Sequence, residues 1–118
     1  MDDIEWPSDW LRGTLALLVL ATMASGPTYG YAVSSALESR GLGKVKGGTL
    51  YPLLGRLERD GLITSHWEPG SGGPGRKFFE LTDAGRGHLE TSARRWGEFA
   101  TLVRDVLHDH TITEGGQE

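Results

Sequence analysis

Across residues 47–60, Leu50, Leu53, Leu54 and Leu57 recur at i, i+3, i+4 and i+7, the spacing of one apolar stripe on a short helix. Thr49, Tyr51, Pro52, Arg56 and Arg59 fall off that stripe. A proline costs least in the first turn of a helix, so Pro52 predicts a start near residues 47–49, and Gly61 predicts the stop. Upstream, residues 10–24 are apolar almost all round, through Leu11, Leu15, Leu17, Leu18, Val19, Leu20 and Met23. A helix of that kind is buried on most sides, in a core or between subunits. Ser25-Gly26-Pro27 breaks the pattern and Thr28 offers an N-cap. Residues 29–40 then predict a second helix, with Tyr29, Ala32, Val33, Ala36 and Leu37 inward and Gly41 just past its end.

The period changes after Gly61. Residues 62–68 carry the β-branched and aromatic content of a strand, residues 69–75 are too rich in glycine and proline for regular structure, and residues 76–81 return as a second strand. Thr82 caps a final helix running to about His108, and the polar residues 111–118 read as a frayed end. Three helices followed by a hairpin with a basic, glycine-rich tip is the order of a winged helix-turn-helix. The expected fold is mainly α (α+β), with a two-stranded wing and a long C-terminal dimerisation helix. The DNA-binding unit spans 10–85, the dimerisation helix 86–109 in the same compact body, and a disordered tail 110–118.

On that last helix Leu89, Ala93, Trp96, Ala100, Val103 and Leu107 step by four and three alternately, a heptad seam widened by Phe99, Leu102 and Val106. So broad an apolar face suits packing on two sides, against the first helix and against a twin chain. The alternative is packing on the first helix alone. Arg94, Arg95 and Arg104 fall to the solvated side. Trp96, with Trp10 and Trp6, is a candidate contact for a planar hydrophobic effector, because flat rings near a two-fold axis can sandwich a flat ligand. Interface packing alone is the competing account.

Charge changes the picture only once it is located. The 118-residue chain carries a net charge of −4, which by itself argues against nucleic acid. Between Arg40 and Lys77, however, seven basic residues (Arg40, Lys44, Lys46, Arg56, Arg59, Arg76, Lys77) face three acidic ones, a local +4 against −8 elsewhere. Phosphate binding depends on the local face, and acidic flanks discourage indiscriminate adhesion to DNA. A helix that buries leucines on one side and offers Thr, Tyr and Arg on the other suits a DNA groove. Lys46, Arg56, Arg76 and Lys77 are the candidate phosphate contacts.

Other chemistry finds little support. With no cysteine there is no disulfide or thiolate metal site, and a reducing cytoplasm is the expected location. The acidic opening Met1-Asp2-Asp3-Ile4-Glu5 does not resemble a secretory signal, and the apolar run from Leu15 to Met23 is far short of the roughly 20 residues a bilayer span needs, so no membrane is expected. Gly70-Ser71-Gly72-Gly73-Pro74-Gly75 formally matches a dinucleotide-binding fingerprint. That motif works by placing pyrophosphate at a helix N-terminus, whereas a strand follows here, and no Gly-Lys-Ser/Thr ending makes it a phosphate loop either. His66, His88, His108 and His110 show no metal-ligand spacing, no catalytic constellation assembles, and no cofactor is expected.

The chain resembles the PadR family of bacterial transcriptional regulators, in its small subgroup with one C-terminal helix. The resemblance rests on Leu15-Ala16-Leu17-Leu18, Tyr29-Gly30-Tyr31, Gly48-Thr49-Leu50-Tyr51-Pro52-Leu53-Leu54, Leu57-Glu58, Gly61-Leu62-Ile63 and Arg76-Lys77-Phe78-Phe79-Glu80-Leu81-Thr82-Asp83-Ala84-Gly85, in one collinear order. Two positions depart from the pattern: Phe79 stands where a tyrosine is common, and Lys46 where a Ser or Thr cap is common. The resemblance implies a homodimeric repressor of a palindromic operator in double-stranded DNA, released by a small molecule or stress signal. It places Thr49, Tyr51 and Pro52 at the major groove, Lys46 near phosphate, and Arg76 and Lys77 beside the wing. Two rival functions remain at the level of sequence: a winged helix used only for protein interaction, and a small-molecule carrier or sensor that binds no DNA.

Overall fold

The computed structural model describes residues 6–70 and 72–116, with side chains as far as Asp109. In chain order it forms α1 (Ser8–Ala21), β1 (Thr28–Tyr29), α2 (Gly30–Ser39), α3 (Gly47–Arg59), β2 (Ile63–Glu68), β3 (Arg76–Leu81) and α4 (Asp83–Gly116). The strands make one antiparallel sheet in the order β1-β3-β2. The wing is the β2–β3 hairpin, and β1 adds a third strand at its base. Thr28 and Tyr29 thus differ from expectation. Instead of capping and lining α2, they pair with Phe79 and Phe78 of β3. Two residues are too few to show a period, so this strand exists only because β3 offers it an edge.

Both stops in the helix-turn-helix follow local backbone chemistry. Gly41 and Gly61 sit one residue beyond the C-caps Arg40 and Asp60, with φ of 101° and 79°. In that left-handed region an L side chain is strained. The amides of Gly41 and Leu42 close back onto the carbonyls of Glu38 and Leu37, and those of Gly61 and Leu62 onto Glu58 and Leu57. These paired closures satisfy carbonyls that a helix end otherwise orphans.

α3 begins at Gly47, within the expected window, but Pro52 lies in its second turn and not its first. The ring of a helical proline crowds the carbonyl four residues back, and here that residue is the exposed glycine Gly48. Lys46 supplies no side-chain cap; its carbonyl accepts the amides of Thr49 and Leu50 at 3.0 and 2.9 Å.

The core joins Val19, Leu20 and Met23 to Val33 and Leu37 of α2, to the four leucines of the α3 stripe, and to Ile63, Phe79 and Leu81 of the sheet. α1 is less enclosed than its composition suggests: Leu15, Leu17 and Leu18 are only half-buried. It also runs from Ser8 to Ala21, earlier at both ends than the pattern predicts.

Thr82 anchors α4. Its hydroxyl accepts the Gly85 amide at 2.9 Å and donates to the Gly61 carbonyl at 2.6 Å, while its own amide donates to the Leu62 carbonyl at 3.1 Å. A Cβ on Gly85 would collide with that same Leu62 carbonyl, so only glycine lets the helix start this close to the α3–β2 turn. Leu89 still packs on the core. Beyond it α4 leaves the body, and its backbone stays helical past His108, where the sequence suggests an end. The radius of gyration is 17.8 Å, against about 13.5 Å for a compact chain of this length. Of the tail expected over 110–118, the side chains, and residues 117–118 altogether, lie outside the described residues.

Candidate nucleic-acid interface

Burying Leu50, Leu53, Leu54 and Leu57 sets the rotation of α3, and the other face follows. Lys46, Thr49, Tyr51, Pro52 and Arg56 are all exposed on or beside it. Arg56 does not turn back onto its acidic neighbours; Glu58 instead accepts the Ser65 hydroxyl at 2.6 Å. Among the described residues no ion pair involves any of the seven cations between Arg40 and Lys77, the ion pairs being those of Arg12 with Asp9 and of His66 with Glu68 and Glu80. Their charge is therefore available to an external anion.

Tyr51 has a built seat. Its ring lies over Gly30 at the start of α2, where a Cβ would fall 2.7 Å from Cζ and collide with the hydroxyl. The same ring passes 3.5 Å from the position of a Cβ on Gly47. Although 55% exposed, Tyr51 is thus held against the helix-turn-helix by two glycines.

Arg76 and Lys77, expected to flank the wing, leave opposite faces of β3, as successive strand residues must. Arg76 stacks its guanidinium 4.1 Å above the Tyr29 ring, and Tyr29 meets Phe78 edge-on at 5.4 Å. Lys77 lies on the other face, its Nζ 5.5 Å from the centre of the Phe79 ring. Both cations border a groove of about 380 Å³ between the wing and the helix-turn-helix, shared with Tyr31, Tyr51 and Trp67. Tyr31 and Trp67 are absent from the DNA contacts expected from the sequence, Tyr31 entering there only as part of a family motif. For Trp67 a signal existed: Ile63, Ser65 and Trp67 alternate on one strand face, and Ile63 is core.

The C-terminal residues divide. Leu89 is packed on the core and Ala100 is half-buried, whereas Ala93, Trp96, Val103 and Leu107 are exposed, as are Phe99, Leu102 and Val106. Trp96 meets Phe99 edge-on at 6.4 Å. Trp6 and Trp10 form a separate pair at 6.3 Å, with the Trp6 indole donating to the Gly41 carbonyl at 2.9 Å. Among the described residues, no ring contact joins the two pairs. Nor is any helix among the described residues long and apolar enough to cross a membrane.

Comparison with known proteins agrees with this geometry. The chain is 34% identical over 107 residues to the transcriptional regulator Rv3488 of Mycobacterium tuberculosis, covering 91% of this chain and 95% of that one. A PadR family transcriptional regulator from Eggerthella lenta superposes with a TM-score of 0.75 at 36% identity, covering 85% of this chain and 87% of the other. PadR of Bacillus subtilis, solved in complex with operator DNA, superposes with a TM-score of 0.62 at 27% identity, over 67% of this chain and 45% of its own. The model of the Transcriptional regulator PadR-like family matches residues 19–91, from the last turn of α1 through the wing to the anchored start of α4. A helix-turn-helix with an uncommitted basic face, a wing beside it and this match across most of the folded body make the chain a member of the PadR-like family of transcriptional regulators.

Proposed function

We propose that the protein is a cytoplasmic homodimeric repressor that binds a palindromic operator and releases it on a small-molecule or stress signal. The observation that carries the DNA-binding part is the exposed face of α3, where Lys46, Thr49, Tyr51, Pro52 and Arg56 stand clear of the core and, among the described residues, no cation of the segment is spent on an ion pair. The likeness to a regulator solved on its operator supports the same reading. Thr49, Tyr51 and Pro52 meet base edges in the major groove. Lys46, Arg56, Arg76 and Lys77 take phosphates, positioning the protein without reading sequence.

Dimerisation follows from the exposed apolar side chains of α4. Phe99, Leu102, Val106 and Leu107 are each more than half exposed in the protomer. A continuous apolar stripe of this kind is rare on a monomer surface and marks an association site. A second copy covers it through the seam Leu89, Ala93, Trp96, Ala100, Val103 and Leu107, with the half-buried α1 alongside. Two copies place two recognition helices at a fixed spacing, which is what a palindrome requires. A planar hydrophobic effector bound against Trp96, with Trp10 and Trp6 nearby across the dimer, would alter that spacing.

Titrating the protein onto the DNA upstream of its own gene, at several salt concentrations and beside an unrelated duplex, tests the reading. Specific retardation with a steep salt dependence is expected. Absence of any DNA binding by folded protein would leave the rival roles, a protein-interaction module or a DNA-independent sensor.

A further inference from the structure

The core-side face of the wing continues beyond the core. In the β2–β3 register Ile63 pairs with Leu81, Ser65 with Phe79 and Trp67 with Lys77, and alternation puts all six on one face. Ile63, Phe79 and Leu81 are buried against the helices. Trp67 and Lys77 occupy the next rung outward, where the core ends; Lys77 is half-buried there and Trp67 is left open. Trp67 is consequently 69% exposed, on a strand whose inner end is core.

What lies across from this rung is the groove shared with Tyr31 and Tyr51. Tyr31 is 74% exposed at the start of α2, and Tyr51 stands on the recognition face. The groove is lined by two cations, Arg76 and Lys77, that make no ion pair among the described residues, and by Tyr31 and Tyr51 from the helices and Trp67 from the wing. It also lies between the two parts that straddle a DNA strand, the helix in the major groove and the wing beside the next groove. Between them runs one sugar–phosphate ridge. That ridge alternates an anionic phosphate with a flat, weakly polar sugar, and the groove brings together cations and aromatic rings that suit both.

We propose that this groove seats the sugar–phosphate strand between the major groove and the wing. Trp67 packs its indole on a deoxyribose, and Tyr31 donates its hydroxyl to a neighbouring phosphate. Trp67 and Tyr31 thereby join the DNA interface as positioning residues that read no base. This rests on the DNA-binding reading above and adds a specific strand contact to it. Because the Trp67 contact is apolar, it contributes affinity without releasing counterions, unlike Lys77.

The test compares Trp67→Ala, Tyr31→Phe, Lys77→Gln and Tyr51→Ala on the operator and on an unrelated duplex over a salt series. Trp67→Ala is expected to weaken both duplexes by about tenfold and by similar factors, with the salt slope unchanged, since an aromatic side chain loses its buried contact but no charge. Tyr31→Phe should weaken both by a few-fold, and Lys77→Gln should flatten the slope by about 0.9. Trp67→Ala binding within twofold of the unaltered protein overturns the proposal, as does a loss confined to the operator, which would mean base reading. If Trp67→Ala binds normally while Lys77→Gln and Tyr51→Ala weaken binding, the strand seat fails and the DNA interface stands. If none of the variants changes binding, the DNA-binding face itself is wrong. Should Trp67→Ala not fold by circular dichroism, Trp67→Leu, which stays apolar but has no flat ring, is judged by the same criteria.

Discussion

Replacing Gly30 by alanine adds one methyl group beneath the Tyr51 ring, at a position that also lines the groove between the wing and the helix-turn-helix. A Cβ there would lie 2.7 Å from Tyr51 Cζ and 2.9 Å from Cε1, well inside carbon–carbon contact, so the ring must leave its seat. The fold should tolerate this. The Tyr51 ring is the end of a side chain 55% exposed and has solvent to move into. Alanine also favours a helix over glycine by up to about 1 kcal/mol, which offsets strain of similar size. Stability should therefore stay within about 1 kcal/mol of the unaltered protein. Binding should not. A groove contact of this kind contributes about 1–3 kcal/mol, and a displaced Tyr51 forfeits most of it, so Kd should rise by about 5- to 150-fold. Fluorescence anisotropy on a labelled operator, with thermal denaturation in parallel, measures both quantities. The decisive comparison is a double-mutant cycle. Once Tyr51→Ala has removed the ring, Gly30→Ala has nothing to displace and should cost no further affinity. Losses that add to within about 0.3–0.5 kcal/mol in the double variant would refute the reasoning, as would a Gly30→Ala protein that binds normally.

Neutralising Lys46, Arg56, Arg76 or Lys77 singly should reduce the salt slope of log K by about 0.9 for each true phosphate contact; four unchanged slopes would mean the basic face is not a phosphate footprint. Thr82→Val removes both the cap on the Gly85 amide and the bond to the Gly61 carbonyl, and should cost about 1–3 kcal/mol in chemical denaturation. A loss below about 0.5 kcal/mol would show that Thr82 does not anchor α4. Truncation after Leu89 should yield a monomer or an aggregate with weakened operator binding, read by analytical ultracentrifugation and anisotropy, although every groove-facing residue remains. A truncated monomer that binds as tightly as the full chain would remove α4 from any role in assembly.

Sequence alone determined those parts of the fold whose physics is local. The α3 stripe, the glycine stops at Gly41 and Gly61, the Thr82 cap and the period-two strands each write a short-range constraint into neighbouring residues, and the structure places them where those constraints require. The exposed face of α3 was legible for the same reason, since burying four leucines leaves one direction for the remaining side chains. Tertiary structure decided what depends on neighbours distant in sequence. β1 forms because β3 presents an edge to Thr28 and Tyr29. Pro52 is accommodated one turn later than local cost suggests, with glycine at the crowded position and the leucine stripe buried on the core. Gly30 acquires its meaning only when Tyr51 arrives from another helix, and Trp67 becomes a groove wall only where the wing outruns the core. Local propensity carries no information about which side chain will occupy a given space, because that space is created by elements meeting across the chain.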